Sequence, residues 1–216
     1  TQTQCEVCAA SPKDLDAAVR NWTGAKPRIV SLEPNGLADV WTDIQNVADA
    51  LSATERGKQL IIELQARMAD IEARTSQIER RPRVACIEWI DPLMAAGNWM
   101  PELVEMAGGE NIFGEAGNHS PWVTWESVCD ADPEIILILP CGYTIQESRR
   151  DMPALSRRPE WLRISAVKTG QVFVADGNQY FNRPGPRLAE SLEILSELLH
   201  PELFDFGHEG IGWERF

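Results

Sequence analysis

Positive charge is scarce in this sequence. Its 216 residues include 20 lysines and arginines against 33 aspartates and glutamates, which gives a net charge of −13. Because nucleic acids and anionic membranes bind through basic faces, this balance argues against either as the main partner. The composition is otherwise that of a globular protein, with 44% hydrophobic and 25% charged residues. The acidic surplus fits a partner that presents a basic patch.

The signatures of common catalytic sites are also missing. The sequence has no nucleophile elbow, no phosphate-binding loop, no zinc-protease helix and no dinucleotide-binding glycine motif. Of its three histidines, His200 and His208 fall in the polar C-terminal region, which leaves His119 as the candidate for chemistry. Glu88 and Asp91 are a candidate acid–base pair, although two carboxylates near a loop more often cap a helix or bind solvent. We therefore predict a binding protein with no catalytic residues and no catalytic cofactor.

The five cysteines do not form the even-numbered set of a disulfide framework. Cys5 and Cys8 make a single CxxC pair without a second pair or a nearby histidine, so no metal site is predicted. A disulfide or redox pair there stays open, and with it the alternative of a metal-dependent or redox enzyme that uses Cys5 and Cys8. Cys86, Cys129 and Cys141 lie in apolar segments and are predicted to be small buried residues.

Targeting signals are absent from the sequence as given. No apolar run approaches the length that spans a bilayer, and residues 1–5 show neither a basic leader nor an apolar segment. The sequence alone therefore leaves two expectations open. The protein is cytoplasmic, or it is exported and its leader has been removed or does not belong to this chain.

The most informative segment that is present runs from Thr54 to Arg81. Apolar or neutral residues recur there at spacings of three and four, which places them on one stripe of a helix. The stripe consists of Ile61, Leu64, Met68, Ile71, Thr75 and Ile78. Charged residues occupy the other faces, so one narrow stripe is predicted to be buried. Such a helix spans roughly 40 Å and stops at Pro82, as expected of a strut between two lobes. A short coiled coil between partner chains is the alternative.

Strands and helices alternate after Pro82. Strands are predicted at 84–90, 111–113, 134–139 and 171–175, and helices at 99–107, 124–131, 144–166 (broken) and 187–199. The continuous apolar run at 134–139 is typical of a central parallel strand covered on both faces. This order predicts an α/β fold with a parallel, doubly wound sheet.

The part before the long helix is poorer in strands. It offers helices at 11–22 and 37–51 and one strand at 28–32, which is too little for a matching sheet. We therefore predict a partial N-terminal lobe at 1–53, an inter-lobe helix at 54–81 and a C-terminal α/β ligand-binding lobe at 82–216. The rest of the first lobe is expected upstream or from another chain, and an unpaired sheet edge there would favour a homodimer.

Aromatic residues follow the predicted strands at the ends where open α/β sheets bind ligands. The residues concerned are Trp89, Trp99, Trp122, Tyr143, Tyr180 and Phe181. Flat side chains beside amides and the imidazole of His119 suit a large, flat, partly apolar ligand. For any one of these rings, a place in the core is the alternative.

Five segments carry a resemblance to a known family. They are residues 4–8 (QCEVC), 37–41 (LADVW), 83–89 (RVACIEW), 108–113 (GGENIF) and, most specifically, 180–188 (YFNRPGPRL). The chain resembles, to about Trp213, the cobalamin-binding substrate-binding proteins of ABC importers, in the class whose two α/β lobes are joined by one rigid long helix. Members of that family look as if they carry most of the first lobe ahead of the segment at 4–8, which this sequence does not.

The resemblance implies a corrinoid, cobalamin, held between the lobes without covalent chemistry and delivered to a membrane permease from the periplasm or the cell surface. The six aromatic residues, His119 and Arg183 would contact the ligand. Acidic residues on the lobes would dock on permease arginines, with Glu190 as the candidate. An iron–siderophore or haem carrier of the same fold is the alternative. An anionic siderophore would need several arginines in the cleft, however, and only Arg183 and Arg187 are candidates.

Overall fold

The computed structural model describes residues 29–216 and, ahead of them, Val19 and Gly24. The predicted CxxC pair of Cys5 and Cys8 lies outside the described residues, as does the predicted helix at 11–22 apart from Val19. Within the strand predicted at 28–32, the described residues 29–32 show β-pairing at Leu32 alone.

Two helices follow, α1 (Leu37–Ala50) and α2 (Thr54–Thr75). The first matches the helix predicted at 37–51. The second is the predicted long helix, and its buried residues include four of the predicted stripe, Leu64, Met68, Ile71 and Thr75, together with Gly57. A Cβ on Gly57 would lie 2.4 Å from the Cβ of Ala48, so the glycine lets α2 approach α1 closely.

The prediction that the long helix continues to Arg81 is wrong. It ends at Thr75, where the side-chain hydroxyl donates a hydrogen bond to the carbonyl oxygen of Met106 (2.6 Å). That tertiary contact fixes the helix end, and the chain then leads into the first strand. With 22 residues the helix is about 33 Å long instead of about 40 Å.

Six strands form one sheet in the described part of the chain. They are β1 (Arg83–Trp89), β2 (Met94–Ala95), β3 (Glu110–Asn111), β4 (Ile135–Ile138), β5 (Val172–Ala175) and β6 (Trp213–Arg215). The order is β2-β1-β4-β5-β6, with β3 also pairing with β1. The strand predicted to be central, β4, runs parallel to both β1 and β5. The outer strands β2 and β6 are antiparallel, so the sheet is mixed instead of wholly parallel as predicted.

Helices cover both faces of the sheet, as a doubly wound fold requires. On one face lie α1, α2, α3 (Met100–Met106) and α8 (Leu188–Leu199). On the other lie α4 (Trp125–Ala131), α5 (Ile145–Asp151), α6 (Pro153–Ser156) and α7 (Ser165–Lys168), with a 3₁₀ turn at Trp161–Arg163. The strands alternate between the two cores, because Val84 and Cys86 of β1 face one side and Ala85 and Ile87 the other.

The long helix is part of the helical layer that covers one face of this sheet. It packs against α1, α3 and α8, and Leu64, Met68 and Ile71 belong to the same core as the sheet. Among the described residues, the buried stripe of α2 is thus covered by elements of this chain, which argues against the alternative of a coiled coil between partner chains. The boundaries at 53 and 81 remain predictions. None of the described helices is both long and apolar enough to cross a membrane.

An ion pair between an exposed arginine and a buried glutamate fastens α2 to α8. The guanidinium of Arg67 donates two hydrogen bonds to the carboxylate of Glu193, which is only 5% exposed. On its other side Nε2 of His208 lies 3.0 Å from Glu193 Oε2. Burial raises the pKa of Glu193, but the bonds from Arg67 and His208 outweigh it and hold the pKa below its ordinary value. We call Arg67, Glu193 and His208 the α2–α8 clasp.

We expect Glu193→Gln to lower the free energy of unfolding at neutral pH by about 1–3 kcal/mol, because the clasp loses its charge-assisted hydrogen bonds. A carboxylate whose pKa is lowered on folding contributes stability above its unfolded-state value, here 4.5, and this stability is lost as the pH falls through the folded-state value. The deficit of the variant should therefore shrink below about pH 4.5. Urea unfolding at neutral and acidic pH measures this difference.

The matched control is Glu105→Gln, which changes an exposed glutamate of α3. It should alter the unfolding free energy by less than about 0.5 kcal/mol. A deficit of Glu193→Gln that grows as the pH falls would contradict the role of the ionised clasp.

Candidate functional site

The loops that follow β1, β4 and β5 meet at one edge of the sheet, together with the loop at 118–122. The Ser120 hydroxyl donates to Glu88 Oε2 (2.7 Å), which joins the 118–122 loop to the end of β1. The N–H of Asn178 donates to the Tyr143 carbonyl (3.0 Å), which joins the loops after β4 and β5. The sequence argument that brought these loops together from strand order therefore describes their actual arrangement.

An aromatic pair lies at this edge. The rings of Trp89 and Tyr143 meet edge to face with centroids 5.3 Å apart, and both side chains are partly exposed. The Trp89 indole N–H donates to the backbone carbonyl of Asp91 (3.1 Å), which fixes the ring. Beside the pair lies a pocket of about 270 Å³ whose lining includes Pro140 and Asp151. Two of the predicted ligand-contacting rings thus border a pocket.

The loop that carries His119 and Trp122 is tied to residues 93–98. Backbone hydrogen bonds run from Ala95 N–H to the Pro121 carbonyl and from Val123 N–H to the Leu93 carbonyl. Trp122 is nevertheless 66% exposed, and His119 is exposed as well. A tryptophan ring on a firmly held loop is available for contact with a ligand at little cost in conformational entropy.

Trp99, Tyr180 and Phe181 belong to the core instead of to the exposed edge. They are 4%, 7% and 0% exposed, respectively. The Trp99 indole N–H donates to the Phe181 carbonyl (2.6 Å), and the Phe181 N–H donates to the Ser191 hydroxyl (3.0 Å). Phe181 has a left-handed backbone (φ 59°), which is unfavourable for a bulky residue, and these two bonds hold it. The three residues shape the loop after β5, and the structure does not bring them to the exposed edge of the sheet.

The charged residues that were predicted to act on a ligand or permease differ in their surroundings. Arg183 is exposed, and its guanidinium donates to the backbone carbonyl and the side-chain oxygen of Asn178. Glu190 lies in the first turn of α8 and is partly buried. Its role in docking remains a prediction.

Glu88 and Asp91, the acid–base pair considered from the sequence, have different surroundings. Glu88 bonds to Ser120, whose hydroxyl also accepts the N–H of Gly97 (3.1 Å), whereas Asp91 is exposed. Burial raises the pKa of Glu88 above its ordinary value of 4.5, against the hydrogen bond from Ser120, the charge of His119 and the N–H of Gly97. Glu88 is therefore a partly buried carboxyl group that anchors the 118–122 loop.

Two features of this edge were missed by the sequence argument. Asp151 borders the pocket from the end of α5, and no strand-end rule points to a residue on that helix. The tight approach of Gly97 was missed as well: a Cβ there would lie 2.6 Å from the Asn118 carbonyl oxygen. An apolar helical pattern that includes Trp99, Leu103 and Ala107 is the signal that could have assigned Trp99 to the core.

The described residues contain no group of three or more His, Cys, Asp or Glu side chains that could hold a metal ion. Of the described cysteines, Cys86 is buried, and burial raises the pKa of its thiol to about 12. Cys129 and Cys141 are partly exposed, so the prediction of burial holds for Cys86 alone among them.

We expect Glu88→Gln to gain stability relative to the wild type as the pH rises above 4.5, the ordinary pKa of this group, towards neutral pH. A carboxyl group whose pKa is raised on folding stabilises the folded state at low pH, and this contribution is lost as the pH rises through the folded-state value. Glutamine keeps an oxygen acceptor for Ser120 and does not ionise. Urea unfolding of both proteins across this range tests the expectation.

Glu126→Gln, an exposed position on α4, is the control and should show no such trend. If the unfolding free energy of Glu88→Gln instead falls relative to that of the wild type as the pH rises, the ionised carboxylate is the stabilising form.

Comparison with known proteins places these features in a family. The family model described as "Periplasmic binding protein" matches residues 14–178. The uncharacterized ABC transporter substrate-binding lipoprotein YvrC of Bacillus subtilis is 23% identical over 80% of this chain and 53% of its own length. The high-affinity heme uptake system protein IsdE of Staphylococcus aureus is 22% identical over 64% of this chain and 49% of its own. The vitamin B12-binding protein of Vibrio vulnificus is 30% identical over 48% of this chain and 35% of its own. The chain spans about half the length, or less, of these curated relatives.

Solved structures share the fold. An ABC transporter substrate-binding protein from Listeria monocytogenes matches with a TM-score of 0.71 at 20% identity, over 88% of this chain and 75% of that one. The vitamin B12 binding protein BtuF of Vibrio cholerae matches with a TM-score of 0.65 at 20% identity, over 90% and 72%. Together with the family match, these likenesses confirm the predicted α/β two-lobe substrate-binding fold.

Proposed function

Because the chain belongs to the periplasmic binding protein family, we propose that it is the substrate-binding component of an ABC import system, and that it binds a corrinoid, cobalamin, and delivers it to a membrane permease. The names of the Bacillus and Vibrio relatives support the two parts of this proposal, the transport system and the ligand. The protein would act outside the cytoplasm, in the periplasm or at the cell surface.

The observation that carries the ligand proposal is the exposed aromatic surface at the carboxyl edge of the sheet. Trp122 is 66% exposed on a loop held by backbone hydrogen bonds, and the Trp89–Tyr143 pair lies at the same edge. Flat aromatic faces that are exposed at one edge of the sheet suit a large, flat ligand. His119, on the Trp122 loop, adds a polar contact.

A haem or an iron–siderophore is the second candidate, because IsdE is named as a heme uptake protein. Such ligands carry negative charge and need cations in the site. Of the two candidate cations, Arg183 already bonds to Asn178, and Arg187 bonds to Gln179 (2.9 Å) and lies over the Tyr180 ring. This favours a ligand without net negative charge.

Fewer structural observations support the remaining proposals about partners. Docking on permease arginines by Glu190 is supported by the surplus of negative charge in the chain. A homodimer that forms through the incomplete first lobe, predicted at 1–53, is a further proposal. The enzyme alternative would depend on Cys5 and Cys8, and a stoichiometric transition metal lost on Cys5→Ser/Cys8→Ser replacement would support it over the carrier.

Titration of the purified chain with cyanocobalamin, haemin and ferric citrate tests the ligand. We expect saturable binding of cyanocobalamin, followed by calorimetry and by its visible absorption, and weaker or no binding of the other two. Tighter binding of haemin than of cyanocobalamin would favour the second candidate. Absence of heat and of spectral change with cyanocobalamin at micromolar protein would contradict the proposal.

Trp122→Ala should weaken cyanocobalamin binding by about 1–3 kcal/mol, because an exposed ring on a rigid loop is a typical anchor. The matched control is Leu162→Ala, which truncates a residue that is 74% exposed in the 3₁₀ turn. Both variants should unfold at the wild-type urea concentration. Equal affinities of the two variants would remove Trp122 from the site.

A further inference from the structure

The pocket beside the Trp89–Tyr143 pair is lined by acidic but not by basic residues. Asp91 and Asp151 contribute carboxylates to its wall, and no Lys, Arg or His is among the described residues that line it. Asp91 is exposed and Asp151 is partly buried. The other lining residues are apolar apart from the Tyr143 hydroxyl and the Trp89 indole N–H, which bonds to the Asp91 carbonyl, so the two carboxylates are the charged groups that a bound substituent would meet.

Two cations lie near this edge, and neither lines the pocket. Arg150 pairs with Oδ1 of Asp151 at 3.1 Å through a side chain that is 66% exposed, so it offsets part of the charge of Asp151. Arg183 is turned towards Asn178. A ligand that enters the pocket therefore meets two carboxylates in its lining and no lining cation, with Arg150 beside one of them.

This charge has a direct consequence for what can bind. A carboxylate oxygen accepts hydrogen bonds from amide N–H groups and repels another carboxylate. Cobalamin carries acetamide and propionamide side chains around its ring, whereas haem carries two propionates and ferric citrate carries citrate carboxylates. A pocket of about 270 Å³ has room for one such side chain but not for the macrocycle.

We propose that this pocket is a subsite for a primary amide substituent of the ligand, and that Asp91 and Asp151 are specificity-determining residues that exclude carboxylates. The inference rests on the proposed function and deepens it, because it says why a neutral corrinoid is accepted and an acidic tetrapyrrole is not. The Trp89–Tyr143 pair forms the apolar wall along which the amide side chain enters.

The experiment compares cyanocobalamin with its three separated monocarboxylic acids, each made by hydrolysing one propionamide to a carboxylate. This exchange adds one negative charge and leaves the macrocycle unchanged. We expect the wild-type chain to bind at least one of the acids about tenfold more weakly than cyanocobalamin at neutral pH. Asp91→Asn/Asp151→Asn should reduce that ratio to about twofold or less. Asp91→Asn alone, at an exposed position, should reduce it in part.

Asp205→Asn is the matched control, because it removes the same charge from an exposed residue in the segment between α8 and β6. It should keep the wild-type ratio. The inference is overturned if all three acids bind the wild type within about twofold of cyanocobalamin, or if the ratio is unchanged in Asp91→Asn/Asp151→Asn. A chain that does not bind cyanocobalamin at all contradicts the proposed function itself, whereas equal binding of the amide and the acids contradicts only the subsite.

Discussion

Burial of β4 on both faces is the constraint from which the rest of the architecture follows. Its four residues, Ile135–Ile138, are all buried, and a strand of this kind needs a helical layer on each side. The crossover connections that provide those layers return every parallel strand in the same direction. The loops after β1, β4 and β5 therefore emerge at the same edge, where a hydrogen bond from the Asn178 N–H to the Tyr143 carbonyl joins the loops after β4 and β5.

The segments that the sequence predicted well are those whose own residues determine their structure. The run at 134–139 is predicted to be a buried strand from its own continuous apolar residues. Thr124 is an N-cap from its residue type, and its hydroxyl accepts the N–H of Ser127 at 3.1 Å. Strands β2 and β6 have two and three residues and become strands only by pairing with β1 and β5. The end of α2 could likewise not be predicted from the local sequence, because a hydrogen bond from the Thr75 hydroxyl to the Met106 carbonyl sets it.

The candidate site shows the same limit more sharply. Strand order was enough to place Trp89 and Tyr143 at one edge, because both follow parallel strands. It could not separate them from Trp99, Tyr180 and Phe181, which have the same residue types and follow the same logic. Their burial comes from a left-handed turn and from an indole hydrogen bond across 82 positions of sequence. Asp151 was not predicted as a site residue because it borders the pocket from the end of a helix, and the strand-end rule considers only residues that follow strands.

The two outermost strands have a meaning for the behaviour of the protein in concentrated solution. Residues of the Trp122 loop pair with the outer side of β2, and the turn at 209–210 folds back on the first residue of β6. Among the described residues, both margins of this sheet are thus short and largely occupied, so they offer little backbone to an incoming strand. This disfavours edge-to-edge association through these two margins.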